Sequence, residues 1–354
     1  MKICYFGIYD RNYPRNDILM NGMEMNGAEV VECHENWNEK GRYVRLYKKL
    51  RALNNDYDII YCAYPAPVPT ILAKLISKKP VVMDAFYGMF DAVVVDRKEI
   101  PWYHPRALKL AFLDWLSAVM ADYIITDTIT HIQYWRKWPF INLKKIHAVH
   151  IGANDKVFFP KADVPKDLKH FWISFHGKFI PLHGLEKVVE AARILKDDDS
   201  IRFRLIGSGA ESKKIKKLIK EYDLKNIEEI ERVTPAEINN YMNSADVVLG
   251  IFGDTEKAWR VIGNKVYEGM AVRKPLINMD SPVIREIVDD TEMMLVKNTP
   301  EEIADAIMRL KNDSSLRESI AEKAYEKASK MYFPKPRGKY MLDLFASFLR
   351  EMKA

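Results

Sequence analysis

The chain has 354 residues, 48% of them apolar and 29% charged, with a formal net charge of +6. That length exceeds one ordinary hydrophobic core and predicts two domains of about 100–200 residues each, and the composition excludes a disordered or disulfide-stapled chain. The mild positive charge predicts a lysine-rich solvated surface open to phosphorylated or acidic ligands, and no nucleic-acid partner is expected. Gln133 is the only glutamine amid abundant Lys, Glu and Ile, a weak thermophilic signature. Cys4, Cys33 and Cys62 lie in apolar runs without metal or redox spacing, which predicts buried free thiols in a reducing compartment. The opening strand meets Asp10 and Arg11 too soon for a signal peptide, and no run approaches the roughly 18–20 apolar residues of a membrane span. The expected location is cytoplasmic.

In chain order, Lys2–Phe6, Glu29–Cys33, Ile59–Ala63, Val81–Met83 and Tyr123–Thr126 read as strands. Among them lie helical patterns at Asp17–Asn26, Arg42–Leu53, Val68–Ile76 and Arg106–Met120. Ala148–Gly152 is expected as a last strand, and the polar, proline-marked Asn154–Asp163 as the domain connection. The alternation then repeats. Strands are expected at Phe171–Phe175, Ile201–Ile206, Ile227–Ile230, Val247–Ile251 and Pro275–Met279, and helices at Leu185–Leu195, Glu211–Tyr222, Pro235–Asn243, Lys265–Ala271 and from about Ser281. Helices follow at Pro300–Leu310 and Ser315–Met331; Pro334 and Pro336 then precede a last apolar helix, Tyr340–Leu349. The fold class is therefore α/β, with two doubly wound parallel sheets. The expected domains are 1–155 and 165–330, with 331–354 as a helix packing back on the first. Ligands are expected in a cleft between the halves, at the carboxyl ends of strands.

Two stretches carry the chemistry. His176-Gly177-Lys178-Phe179-Ile180-Pro181-Leu182-His183-Gly184 ends a strand in small and cationic residues just before an amphipathic helix, and Asn264–Ala271 sets the carboxylate of Glu268 near the start of another. Cations and a helix N-terminus neutralise phosphates, and a carboxylate accepts hydrogen bonds from ribose hydroxyls. The pair suits a sugar joined to a nucleoside diphosphate. Lys265, one turn before Glu268, faces the same way and can meet the leaving phosphates. Gly207-Ser208-Gly209 reads as the turn after a strand, near the nucleotide. Asp56-Tyr57-Asp58 and Asp197-Asp198-Asp199 imitate a metal-binding D-x-D but flank regular elements, so solvated turns are expected and no obligatory metal.

Taken in order, Asp84–Tyr87, Thr126–His131, Gly177–Glu186, Leu205–Gly209, Ala245–Phe252 and Asn264–Ala271 resemble the motifs of family 4 glycosyltransferases. No single motif is specific; six at family spacing over most of the chain are. The resemblance implies the GT-B fold of two facing Rossmann-like domains, with the nucleotide-sugar donor in the second and a glycan or lipid-linked acceptor in the first. It also implies transfer with retention of anomeric configuration and no obligatory cofactor.

The resemblance assigns the donor-site roles to Gly177, Lys178, His183, Gly184, Gly207, Val233, Arg260, Lys265 and Glu268. Lys178 stands where the family usually has arginine, keeping the charge without the bidentate fork. His183 replaces the usual lysine, and a phosphate there favours its protonated form. Val233 falls in the loop where members read the base through backbone groups. Arg260 occupies the position of the earlier of two family glutamates, which in many members touches the donor sugar, so donor identity is left open. Lys178, Lys265 and Asp84 are the expected catalytic residues, and Arg11, Arg15, Asn16 and His131 the acceptor candidates.

The helix Arg42–Leu53 carries five cations around Val44, Tyr47 and Leu50, a pattern that fits peripheral contact with the inner membrane face beside its plainer reading as a solvated basic surface. Two alternatives share the fold: a sugar-nucleotide epimerase or phosphorylase, and a non-catalytic nucleotide- or glycan-binding relative.

Overall fold

Short, largely continuous apolar runs bounded by turn residues and separated by amphipathic stretches give parallel strands, most buried on both faces and joined by helical crossovers. In the computed structural model, which describes residues 1–86 and 88–352, they form two six-stranded sheets. The chain separates into two compact units, residues 1–151 with 333–354, and residues 152–332.

The first sheet has the order β2-β1-β3-β4-β5-β6, with β1 at Lys2–Ile8, β2 at Glu29–Glu35, β3 at Ile59–Cys62, β4 at Val81–Asp84, β5 at Tyr123–Thr126 and β6 at Ile146–Ala148. Every pairing is parallel. The helices are α1 (Pro14–Met25), α2 (Arg42–Ala52), α3 (Pro67–Ile76), α4 (Pro105–Met120) and α5 (Ile129–Trp135), with a wider helical turn at Asp91–Asp96. The expected strand at Ala148–Gly152 is displaced towards the N-terminus. The Arg15 Nη1 takes the Val149 carbonyl at 3.0 Å and Gly152 turns the chain at φ +105°, so the ladder stops. The three cysteines are buried free thiols.

A buried ion pair ties the start of α1 to the end of β4. The Arg15 Nε donates to both oxygens of Asp84 at 3.0 and 2.8 Å, and the Tyr61 hydroxyl donates to Asp84 at 2.6 Å. Neither charged side chain reaches solvent. Leaving such a charge unpaired costs several kcal/mol, so each group holds the other.

The last helix, α12 (Pro334–Glu351), belongs to this unit and packs on α1. Its start differs from the expectation. Pro334 and Pro336 do not delay it; both lie in its first turn, where backbone N–H groups have no intrahelical acceptor. Met341, Phe345 and Phe348 enter the core with Leu19, Met20 and Met23. A Cβ on Gly22 would stand 2.1 Å from the Pro334 carbonyl, and one on Gly338 would stand 1.8 Å from the Gly22 carbonyl carbon. The two backbones meet because neither residue has a side chain.

The second sheet runs β12-β11-β10-β7-β8-β9, also all parallel. Its strands are β7 (Phe171–His176), β8 (Ile201–Ile206), β9 (Ile227–Ile230), β10 (Val247–Leu249), β11 (Leu276–Met279) and β12 (Met294–Val296). Around it lie α6 (Leu185–Ile194), α7 (Ser212–Glu221), α8 (Pro235–Ser244), α9 (Asn264–Ala271), α10 (Pro300–Asn312) and α11 (Ser314–Met331). The helix expected from Ser281 is only a short turn at Ile284–Glu286. The Arg285 guanidinium grips Asp280 and Asp290, five residues to either side, at 2.8–3.0 Å and folds the segment back. The chain then forms β12, a strand without a sequence expectation.

Gly338→Val forces the α1 and α12 backbones apart. The expected result is a loss of at least about 3 kcal/mol in denaturant unfolding, the overpacking cost with an unyielding backbone as neighbour. Lys339→Val, at the next and exposed position of α12, is the control for placing valine in this helix.

Candidate functional site

The order of the second sheet reverses between β7 and β10. Loops leaving adjacent strands at such a switch point diverge to opposite faces and open a crevice at the carboxyl edge. The His176–Gly184 stretch leaves β7, and the loop leaving β10 leads into α9. Both chemistry-bearing stretches therefore converge at one place in one unit.

Glycines set how closely these segments approach. Gly177 has φ +136°, and a Cβ there would lie 3.0 Å from the Lys265 Nζ and 3.3 Å from the His183 ring. Gly207, after β8, has φ +134°, and its Cβ would collide with the Gly177 carbonyl at 2.0 Å. Gly184 is left-handed at φ +62° and abuts the Phe252 carbonyl, while the Phe252 N–H donates to the His183 carbonyl at 3.1 Å. The turn after β7 is thus fastened to the loop after β10. Side chains at these positions require other backbone geometry.

Lys265 stands in the first turn of α9 and is fully buried at its ammonium, which has no hydrogen-bond partner among the described residues. It lies over the Phe175 ring, 4.1 Å from the centroid. Burial pushes its pKa down to about 7, and the nearby Glu268 carboxylate opposes that shift. A buried nitrogen poised between charge states, with a ring face and one nearby carboxylate but no hydrogen-bond acceptor among the described residues, is suited to meet an anion. Glu268, one turn on, has one oxygen engaged: the His176 Nε2 lies 2.6 Å from its Oε2. The imidazole donates there, and its Nδ1 is buried without a partner among the described residues.

His183 closes the short helical turn Pro181–His183, which leads into α6. Its Nδ1 is bonded to the Lys178 carbonyl, so Nδ1 carries the proton and Nε2 presents a lone pair. Burial, then the nearby Lys265, hold its pKa well below the ordinary histidine value. In the unliganded chain the group titrating near neutrality is therefore Lys265; His183 is an uncharged imidazole until an anion arrives.

The remaining donor-site candidates differ in placement. Lys178 is exposed at the mouth of the β7 turn. Arg260 is half-buried on the loop before α9, its Nε on the Glu256 carbonyl at 3.3 Å. Val233 is half-buried in the loop from β9 to α8. The D-x-D imitations are engaged in turns: Asp56 and Asp58 take hydrogen bonds from Lys2, and Asp198 from Lys311 and Ser200.

The candidates of the first unit form a different arrangement. Asp84 and Arg15 are each other's partners, as described. Asn16 is buried, accepting from the Tyr5 hydroxyl at 2.9 Å and donating to the Asp10 carbonyl at 2.8 Å. Arg11 is exposed and paired with Glu32. His131 is fully buried in α5, with Nδ1 2.7 Å from Asp127 and no partner for Nε2 among the described residues. The tyrosine ending the Asp84–Tyr87 segment lies outside the described residues. The sequence reading gave no role to His176, Asp127 or Asp114, whose carboxyl burial raises to about 7 and which takes the Phe90 N–H at 2.8 Å. Two of them had a signal: His176 stands immediately before Gly177, and Asp127 lies inside the Thr126–His131 motif.

Residues 158–327 match the family described as glycosyl transferases group 1. An uncharacterized glycosyltransferase of Methanocaldococcus jannaschii is 27% identical over 197 residues, 55% of this chain and 52% of that protein. An alpha-D-kanosaminyltransferase of Streptomyces kanamyceticus is 28% identical over 192 residues, 51% of this chain and 45% of that protein. The chain spans about half the length of the curated relatives it matches. Among solved structures, HepE of Anabaena in complex with UDP superposes with a TM-score of 0.75 at 14% identity, covering 98% of this chain and all of that one. Sucrose-phosphate synthase of Thermosynechococcus elongatus gives 0.75 at 15% identity over 99% of this chain and 100% of that one. These likenesses establish the fold, GT-B with two Rossmann-like units.

Lys265→Met removes a buried, unpartnered ammonium and is expected to stabilise the unliganded protein. The folded pKa near 7 lies below the unfolded value near 10.4, so the folded state loses that proton first as pH rises. The penalty is full below about pH 7 and gone above about pH 10. Thermal unfolding should show the variant's gain largest at and below pH 7, with a midpoint raised by at least about 2 °C per kcal/mol recovered.

Proposed function

We propose that the chain, whose residues 158–327 match the glycosyl transferases group 1, moves a sugar from a nucleoside diphosphate to a glycan or lipid-linked acceptor with retention of anomeric configuration. The observation carrying this reading is the unpartnered Lys265 ammonium beside the His176-oriented Glu268 carboxylate at the β7–β10 switch point. A nucleoside diphosphate supplies both missing complements, an anion for the lysine and a ribose diol for the free carboxylate oxygen. That HepE is described in complex with UDP and with UDP-glucose supports the same ligand class.

As the bond from sugar to diphosphate breaks, negative charge grows on the departing phosphate and the sugar becomes oxocarbenium-like. Groups that meet that charge more strongly in the transition state than in the ground state accelerate the step. Lys265, at the N-terminus of α9, and Lys178, exposed at the mouth, fill this role. His183 offers its Nε2 to a phosphate oxygen once protonated, a change the incoming dianion favours. Glu268 holds the ribose, with Gly177, Gly184 and Gly207 giving backbone access and the Val233 loop meeting the base. Arg260, half-buried on the loop into α9, adds a cation where a carboxylate would otherwise touch the donor sugar. The first unit takes the acceptor, with Arg11 as the exposed cation among its candidates. The buried Arg15, Asn16, Asp84 and His131 shape that unit's strand ends from beneath, and Asp84 keeps its carboxylate for the acceptor only by exchanging Arg15 for it.

Thermal-shift and calorimetric titration with UDP, GDP, ADP, CMP and dTDP and their sugars should pick out one nucleotide. Glu268→Ala and Lys178→Ala each should weaken it by roughly 10- to 150-fold, the worth of one hydrogen bond to a charged group. No shift with any nucleotide at saturating concentration defeats the reading. Because the ligand needs the Lys265 ammonium, affinity should fall as pH rises above about 7, approaching ten-fold per pH unit for one linked proton. Lys265→Met should flatten that dependence.

A further inference from the structure

Helix α4 buries few large side chains: Ala107, Asp114, Ser117 and Ala118 are buried, and Leu110 packs on Val93 and Val94. Outward it carries Leu108, 56% exposed, and Phe112, 55% exposed, followed one turn on by Trp115. The residues at 108, 112 and 115 form one stripe about 10 Å long. The stripe extends at both ends. Before α4 lie Trp102 and Tyr103, 69% and 66% exposed, their rings in edge contact at 5.8 Å. Beyond it the Trp115 indole donates to the Pro139 carbonyl at 2.9 Å, which sets Phe140 alongside. Phe140 is 86% exposed and held at φ +61°, a backbone state that bulky residues rarely adopt. A strained backbone that drives an aromatic ring into solvent calls for something other than water there.

The charges around the stripe have one sign. No Asp or Glu occurs from Ile100 to Leu113 or from Thr128 to Asn154. Arg106, Lys109, Arg136, Lys137 and Lys144 are exposed and make no ion pair among the described residues. Helix α2, where sequence alone placed a membrane-facing stripe, is unlike this. Its Leu50 is buried with Leu46 rather than lying with Val44 and Tyr47, and Arg45 and Lys49 are neutralised by Glu35 and Glu39. An apolar stripe with indole and phenol rings at its edge and unpaired cations around it complements the headgroup layer of an anionic bilayer. Rings enter the interface, and ammonium and guanidinium groups meet phosphates.

We infer that the outward face of α4, with Trp102, Tyr103 and Phe140, docks on anionic lipid bilayers. This surface belongs to the first unit, and its reading does not depend on how the donor site is read. Among the described residues no helix is long and apolar enough to cross a membrane, so the contact is peripheral.

The test is flotation of the full chain with phosphatidylcholine vesicles, with and without phosphatidylglycerol. Binding should require the anionic lipid and weaken with salt. Phe112→Ser with Phe140→Ser should lower it by on the order of ten-fold or more, and Lys109→Ser or Lys137→Ser by roughly five-fold each. Val44→Ser with Tyr47→Ser should leave it unchanged. All six positions are exposed, so unfolding midpoints should match the parent and separate lost docking from lost folding. Absence of binding to phosphatidylglycerol vesicles overturns the inference, as does equal binding by the Phe112/Phe140 variant. A concentration-dependent oligomer in sedimentation that this variant dissolves, without vesicle binding, also overturns it and assigns the face to a second copy.

Discussion

A lysine ammonium buried without a hydrogen-bond partner constrains everything around it in the second unit. Desolvating a cation is unfavourable by several kcal/mol unless something compensates, and here the protein supplies only a ring face and a carboxylate one helical turn away. The surrounding choices follow. Gly177 has no side chain because its Cβ direction is occupied by Lys265, and Gly207 has none because the Gly177 carbonyl fills its place. His176 takes one oxygen of Glu268, which keeps that carboxylate from collapsing fully onto the lysine. The result is a local excess of unpaired hydrogen-bonding capacity that a phosphorylated ligand relieves.

The first unit answers the same electrostatic problem in the opposite way. Arg15 is as deeply buried as Lys265, yet its guanidinium is met by two carboxylate oxygens of Asp84 and the Val149 carbonyl. That pairing leaves only the Arg15 Nη2 without a partner among the described residues, whereas the lysine ammonium has no hydrogen-bond partner among them at all. A closed ion pair fixes the ends of β4 and α1, and an open ammonium keeps a binding site in waiting. Both sheets are six-stranded and parallel, but the state of their buried cations separates a structural device from a chemical one.

Much of this organisation is written in the sequence pattern. Ten of the twelve strands and most of the helices between them follow from the apolar runs, β6 being displaced and β12 unforeseen, and the donor-site residues stand out because cations and glycines cluster after a strand. What the pattern missed has physical causes. The proline pair at Pro334 and Pro336 reads as a breaker, but at a helix N-terminus it removes donors that need no acceptor. The segment after Ser281 has helical apolarity, yet Arg285 binds acids on both sides and bends it. Charge state is equally silent in one dimension. His183 looks like a cation next to a phosphate site, and only burial and its bond to the Lys178 carbonyl show it to be neutral. The outward stripe of α4 has the same periodicity as an inward one; which face meets the core depends on the small residues opposite.

The fit of α12 against α1 through two glycines bears on how the chain is made. Residues 152–332 are synthesised before Phe333, so the whole second unit emerges while the first still lacks its final helix. Domains fold as units once their segments are available, which reverses the usual order here: the part encoded first is finished last. Until then Leu19, Met20 and Met23 have no Phe345 or Phe348 to cover them. The nascent protein therefore passes through a stage in which one half is complete and the other presents a bare apolar helix, the stage at which chaperones have most to do.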